Sequence, residues 1–308
     1  MERNKMAIIV SLLFVISTIM GVWLVFSQQK AKKDELASLR ISQNKIAIVN
    51  VYGTIRASSR ATGSLKQSSD RIIKRLKKIE EDKSIKAVVL RINSPGGTVA
   101  ASEEVYAEIQ KVKAANKPVV ASLSDIAASG GYYVAVAADK IVSDPGTLTG
   151  SIGVIMELGN YSALMKKFGV KIVTIKSGKH KDIGSFSRDM TPEEESILQS
   201  VINDAYERFL SVVITGRKMD PKKARILADG RIYTGAQAKN EGLVDMLGSL
   251  DDAIEEAKKL ANIKGKVKIV TDTDQWEKIL DIIPSSFDEK GIDKIIPDSK
   301  IRFEYSME

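Results

Sequence analysis

Residues Ile85–Gly97 read IKAVVLRINSPGG. The first part, Ile85–Asn93, is a β-branched apolar run with the composition of a strand buried on both faces. A turn with paired glycines, Gly96 and Gly97, follows it. Behind the turn, Ala101, Val105, Ile109 and Val112 make one helical stripe, in a segment from about Thr98 to Ala115 that stops before Pro118. Working outward, Lys45–Val51 (KIAIVNV) is a second strand, and Ile72, Ile73, Leu76 and Ile79 put a helix between the two. Strands that alternate with crossover helices predict an α/β domain with a largely parallel sheet.

Downstream the same grammar continues. Val119–Leu123 reads as a buried strand, followed by an Ala/Gly-rich helix starting near Ser129. Shorter strands are expected at Lys140–Ser143, Ser151–Met156 and Lys171–Lys176, then a loop at Ser177–Met190. The clearest helix start is Thr191 as N-cap, with Pro192 at the first helical position and Glu194 completing a capping box. Ile197, Leu198, Val201, Ile202, Ala205 and Phe209 carry that helix to about Thr215. Helices near Pro221–Asp229, Gly235–Asn240 and Ser249–Lys259 and a strand at Lys266–Val270 complete a catalytic-sized domain over residues 45–275. The tail 276–308, with Pro284 and Pro297, carries no structural signal, and there is no internal repeat.

Met6–Phe26 contains no charged residue. At about 1.5 Å per residue a helix of that length crosses the roughly 30 Å hydrocarbon core of a bilayer. Trp23 near its end suits the interfacial belt. The apolar run outlasts a signal-peptide core, and Ser27-Gln28-Gln29-Lys30 is no A-x-A-like cleavage site, so the expectation is an uncleaved anchor. A polar linker, 27–44, follows. Arg3 and Lys5 before the span and Lys30, Lys32 and Lys33 after it leave its orientation open.

Composition narrows the chemistry. The chain has 308 residues, 44% hydrophobic and 28% charged, with a net charge of +8. Acidic residues are interleaved with the basic ones, which reads as a solvated surface rather than a nucleic-acid interface. Zero cysteines exclude disulfides, a thiolate nucleophile, Fe–S clusters and Cys-based zinc sites. A single histidine, His180, excludes sites needing two imidazoles and argues against a Ser-His-Asp triad. No metal or cofactor is implied.

Three turns remain as chemical candidates. Asn93–Gly97 can turn backbone N–H groups toward an oxyanion or phosphate, though it lacks the G-K-[ST] of a P-loop. DIAASGGYY (Asp125–Tyr133) puts Ser129 among small residues at a helix start, where it is either a nucleophile or an N-cap. With histidine nearly absent, a lysine of lowered pKa is the natural base, because burial disfavours its charged form. Ser177–Asp182 (SGKHKD) offers Lys179 and Lys181, and spacing alone does not choose; His180 is a minor option. Ser151, in LTGSIG, could orient an ammonium or simply be a strand-edge hydroxyl.

Taken together, RINSPGG (Arg91–Gly97), DIAASGGYY, LTGSIGVI (Leu148–Ile155), SGKHKD and GRIYTGAQAKNEGLVD (Gly230–Asp245) resemble the signal peptide peptidase A family, serine peptidases of the S49 type, in its short single-unit form. The resemblance covers roughly Lys45 to Ala257. It implies a ClpP/crotonase-like α/β fold behind one N-terminal transmembrane helix. It implies Ser129 as nucleophile, Lys181 as general base and Ser151 as the group orienting the lysine, with Gly96 and Gly130 lending oxyanion-hole N–H groups. It further implies a homo-oligomeric ring, an octamer, whose dyad is completed between subunits. The substrates would be unfolded apolar peptides such as released signal peptides. The protein would be a bacterial, single-pass cell-membrane protein with its catalytic domain outside the cytoplasm.

Two positions depart from the family pattern. Phe186 stands where many relatives have proline, which predicts a looser loop around Lys181, and Ser124 replaces a frequent glycine. A rival reading is acyl-CoA hydration or isomerisation on the same scaffold, but no glutamate lies near the glycine turns to act as acid or base. A catalytically inert membrane scaffold is the non-enzyme alternative, opposed by the co-occurrence of the Ser129, Ser151 and Lys181 motifs.

Overall fold

The computed structural model describes residues 44–57 and 68–271, the helical residues 17–21, 23 and 27, and a short strand at 304–306. The expected anchor and linker thus lie almost wholly outside the described residues, as does most of the tail. Among the described residues no helix is long and apolar enough to cross a membrane.

The strands expected at the start of the domain form. β1 (Lys45–Tyr52) and β2 (Ile85–Ser94) pair in parallel, Ile46 opposite Ala87 and Val51 opposite Ile92. Between them runs α1 (Ser69–Glu81), which buries Ile72, Leu76 and Ile79, one side chain per turn. At about 1.5–3 kcal/mol for each fully buried aliphatic side chain, this face supplies most of what holds the helix. The turn after β2 contains a three-residue strand, β3 (Gly96–Thr98), followed by α2 (Val99–Ala114) with Ala101, Val105, Ile109 and Val112 buried as the stripe requires.

β4 (Val119–Ala128) is longer than the sequence suggested and is the pivot of the sheet. Its first half pairs in parallel with β5 (Lys140–Ser143); its second half pairs in parallel with β6 (Leu148–Gly150). Between β4 and β5 lies α3 (Gly130–Val136), every residue of it buried. Then follow α4 (Ser162–Lys167), the long α5 (Pro192–Arg217), α6 (Pro221–Leu227), β7 (Ile232–Thr234), α7 (Gly235–Glu241), β8 (Met246–Leu247), α8 (Leu250–Leu260), β9 (Lys268–Thr271) and β10 (Glu304–Ser306). The sheet runs β7-β6-β4-β2-β1-β9, with β5 and β8 branching from β4. Only the β6–β7 pair is antiparallel within it.

Successive residues of β2 serve opposite faces. Val88, Leu90 and Ile92 face the main core with α1, α2 and α3; Ala87 and Val89 face a smaller one closed by Ala253 and Ala257 of α8. The capping box of α5 forms as expected, Thr191 Oγ1 accepting from the Glu194 N–H and Glu194 Oε2 from the Thr191 N–H. α5 reaches the core through Ala205, Phe209, Leu210 and Val213, with the Phe209 ring 5.0 Å from that of Tyr133.

Two expected strands do not form. Ser151 takes a left-handed backbone, φ 48°, so β6 ends at Gly150 and Ser151–Met156 holds only an isolated bridge residue at Ile155. Lys171–Lys176 has the right alternation, but no strand lies beside it and Val173 and Ile175 point into solvent.

Candidate active site

The hydroxyl of Ser129 is fully buried and has no hydrogen-bond partner among the described residues. Although the residue precedes α3, its side chain caps nothing. Its backbone, φ 51° and ψ −118°, lies where a residue with a Cβ is strained by about 1–3 kcal/mol. Two backbone bonds hold it there: its N–H donates to Gly150 O at 2.8 Å, and its carbonyl accepts from the Tyr133 N–H at 2.8 Å. A buried hydroxyl without a partner costs about 1–3 kcal/mol and is a polar atom kept in reserve.

Gly150 brings in Ser151. The register places Ala128 beside Gly150, so Ser129 and Ser151 leave adjacent strands side by side. Ser151 is fixed by its N–H, which donates to Arg231 O of the β7 approach at 2.8 Å. A Cβ on Gly150 would meet the Tyr233 ring at 2.5 Å, so β7 lies directly on this turn. The remainder of the 230–245 motif acts behind it. Tyr132 Oη donates to Leu243 O at 2.8 Å, and Arg217 joins Asp245 at 2.8 Å. Burial opposes charge on Asp245, yet the Arg217 hydrogen bond and neighbouring cations hold its carboxyl below the usual carboxylate range.

The glycine turn packs against the other side of Ser129. A Cβ on Gly130 would meet Ser102 Oγ at 2.6 Å, Gly97 N at 3.0 Å and Gly96 Cα at 3.3 Å. A Cβ on Gly131 would meet Ser94 O at 2.7 Å. The structure therefore brings Gly96, Gly97, Gly130, Ser129 and Ser151 together. The Gly96 N–H, however, turns inward onto Ser94 Oγ at 3.1 Å. Gly97 is differently placed. Ile55 takes Gly96 O and Thr98 N, at 2.8 and 2.9 Å, which leaves the Gly97 N–H and carbonyl facing the other way. On that side β10 pairs antiparallel with β3, Tyr305 opposite Gly97.

Lys181 is not joined to this cluster within the chain. Its side chain is exposed and makes no hydrogen bond or ion pair among the described residues, and its loop is a series of turns with Lys181 N donating to Gly178 O at 3.2 Å. Lys179 is paired with Glu193, and His180 Nε2 is 3.4 Å from the same carboxylate. Beyond the lysine, Asp182 accepts from Arg188 and Lys176, hydrogen bonds that hold its carboxyl well below the usual range. Phe186, in place of proline, lies against Tyr161 with ring centroids 6.4 Å apart, and its carbonyl accepts from the Tyr161 N–H. Ser124 Oγ, where glycine was expected, accepts from Arg91 at 3.0 Å.

Sequence comparison gives the family. The model of peptidase family S49 matches residues 111–264, and that of the Clp protease matches residues 50–143. The chain belongs to peptidase family S49. It is 44% identical to a protein named as a protease in Synechocystis over 72% of this chain and 76% of that one. It is 39% identical to a protein named as signal peptide peptidase SppA in Enterococcus faecium, over 79% and 71%, and 39% identical to a protein named as a protease in Methanocaldococcus jannaschii, over 84% of each. This S49 chain is thus a serine peptidase with an α/β, mostly parallel, ClpP-like fold. Sequence reading missed four residues of the site's frame: Ser94, Ser102, Arg188 and Tyr233. Ser94 and Arg188 stand inside or beside quoted motifs; Ser102 shows no sequence signal beyond a polar residue on a buried helical stripe.

Proposed function

We propose that this S49 peptidase is a membrane-anchored endopeptidase that cuts unfolded, mostly apolar peptides such as released signal peptides with a Ser129–Lys181 dyad. The observation that carries the reading is complementary incompleteness: among the described residues Ser129 has a buried hydroxyl without a partner, and Lys181 has an exposed amine without one. A neighbouring copy in a ring, an octamer by family resemblance, supplies the lysine. Tyr161, Leu164, Phe168, Val170, Val173 and Ile175, all exposed on the lysine-bearing arm, favour such a contact.

In the proposed mechanism neutral Lys181, oriented by Ser151 Oγ, takes the Ser129 proton as the oxygen attacks the scissile carbonyl. The negative oxygen is received by the Gly130 N–H and an N–H of the Gly96–Gly97 turn. The Gly97 N–H becomes available when β10 leaves the β3 edge, whereas Gly96 would first release Ser94. One such donor contributes about 3–4 kcal/mol to the transition state. Lys181 then hands its proton to the leaving amine and activates water to release the acyl group. The pairing of Glu304–Ser306 with β3 supports an extended substrate lying antiparallel on that edge. The anchor, residues 6–26, keeps the domain on the extracytoplasmic face of the membrane, where such peptides lie.

Subunit mixing tests the reading. Ser129→Ala and Lys181→Ala should each abolish peptide hydrolysis, and mixed rings of the two should regain part of it. Full turnover by Lys181→Ala alone removes the dyad; two dead variants that never complement place both groups in one subunit.

A further inference from the structure

The Lys181 side chain makes no hydrogen bond or ion pair among the described residues, so its backbone must decide where the amine goes. That backbone has little else to hold it. Residues 171–179 are exposed, and the loop's internal bonds are turn bonds: Lys181 N to Gly178 O, Ile183 N to His180 O and Ser185 N to Asp182 O, at 3.1–3.2 Å. Two ties join it to the folded body: Lys179 and His180 face Glu193 just before the lysine, and Asp182 just after it is held by the guanidinium of Arg188.

Arg188 uses all its nitrogens there. Nε donates to Asp182 Oδ2 at 3.0 Å and Nη2 to Asp182 Oδ1 at 2.9 Å, the two-pronged geometry that only arginine offers a carboxylate. Nη2 also reaches the Asp182 carbonyl at 3.2 Å, so the backbone is held along with the side chain. On its other side Arg188 donates to Glu194 Oε2 at 2.8 Å and Oε1 at 2.6 Å, and to Asp189 O at 3.0 Å. Glu194 is 2% exposed and is the capping-box residue at the start of α5. Its carboxyl is held down near 2 by the Arg188 hydrogen bonds first and the Thr191 N–H second. The arginine therefore bolts the residue beside Lys181 to the fixed end of a 26-residue helix. Lys176 adds a second cation on Asp182, and Lys179 with His180 faces Glu193 on the first turn of α5.

We infer that Arg188 is a positioning residue for the general base: through Asp182 and Glu194 it sets the backbone that aims Lys181. This rests on Lys181 being the base. The arrangement matters because a misplacement of about 1 Å costs on the order of a hundredfold in rate.

The experiment is a double-mutant cycle on the full chain in detergent. It reads kcat and KM for a peptide and the rate at which a fluorophosphonate labels Ser129. Arg188→Gln should lower kcat and labelling on the order of a hundredfold with KM within about twofold. In a Lys181→Ala background the same change should slow the residual labelling by less than about twofold, because the arginine acts through the lysine. Arg188→Lys, which keeps the charge and loses the fork, should recover about a tenth of wild-type kcat, and it stands in if Arg188→Gln does not fold. Equal slowing in both backgrounds, or unchanged kcat in folded Arg188→Lys and Arg188→Gln, overturns the inference and leaves the dyad standing. Undiminished labelling in Lys181→Ala alone overturns the dyad, and this inference with it.

Discussion

Replacing Gly97 by alanine is the sharpest test of how the glycine turn is built. A Cβ there would lie 2.0 Å from Ile55 O and 2.6 Å from both Ile55 C and Ile55 N. All three are backbone atoms, so no side-chain rotation relieves the clash. The two segments must part, which breaks the bonds from Ile55 N to Gly96 O and from Thr98 N to Ile55 O, 2.8 and 2.9 Å. Two backbone hydrogen bonds at about 1 kcal/mol each, with about 1–3 kcal/mol for forcing extra volume into a packed site, give a loss of about 3–5 kcal/mol. For a domain of this size that is a fall in Tm on the order of 10 °C. Scanning calorimetry measures it, with Gly178→Ala as the control, since nothing lies within 4 Å of a Cβ at that position. Peptide hydrolysis should fall as well, because β3 would withdraw from Gly130. A Gly97→Ala protein that melts within about 2 °C of wild type would refute the packing argument.

Other outcomes follow from the same geometry. Ser102→Ala removes a buried hydroxyl without a partner, so stability in chemical denaturation should rise by about 1 kcal/mol; a loss of 1 kcal/mol would show that the hydroxyl is engaged. A chain ending at Lys300 lacks the strand that pairs with Gly96–Thr98, and its KM for extended peptides should drop severalfold; an unchanged KM would mean the tail does not compete for that edge. Asp182 and Glu194 both have lowered folded pKa values, caused first by Arg188. Their stabilisation is complete above the unfolded value of about 4 and is lost as pH falls through the folded ones. The Tm gap between wild type and Arg188→Gln should therefore be widest at neutral pH and close toward pH 2; a gap independent of pH would contradict the ion-pair origin.

The parallel sheet was legible because buried strands and one-faced helices leave periods of two and 3.6 that composition cannot hide. Ile72, Leu76 and Ile79 on α1, and Ala101 to Val112 on α2, are buried as their spacing demanded. The failures have physical causes. Ser151–Met156 looked like a strand, but a left-handed Ser151 after Gly150 turns the chain, and nothing in a serine announces a positive φ. Lys171–Lys176 has a strand's alternation, yet alternation reports a face that wants cover and says nothing of what covers it. The site was read mainly through family motifs, which name the serines and lysine but not the direction of an N–H. That Gly96 faces Ser94 while Gly97 faces β10 is settled by where Ile55 lands, and Ile55 carries no mark of it.

The suspension of Ser129 has a consequence for the order in which its surroundings are built. Ser129 hangs from Gly150, and Ser151 hangs from Arg231, far later in the chain than either serine. A nascent polypeptide halted before Gly230 would already contain every reactive group and every glycine turn, yet its serine would lack the last hook. Synthesis from the N-terminus thus completes the frame around Ser129 late, when little of the domain is still to be made.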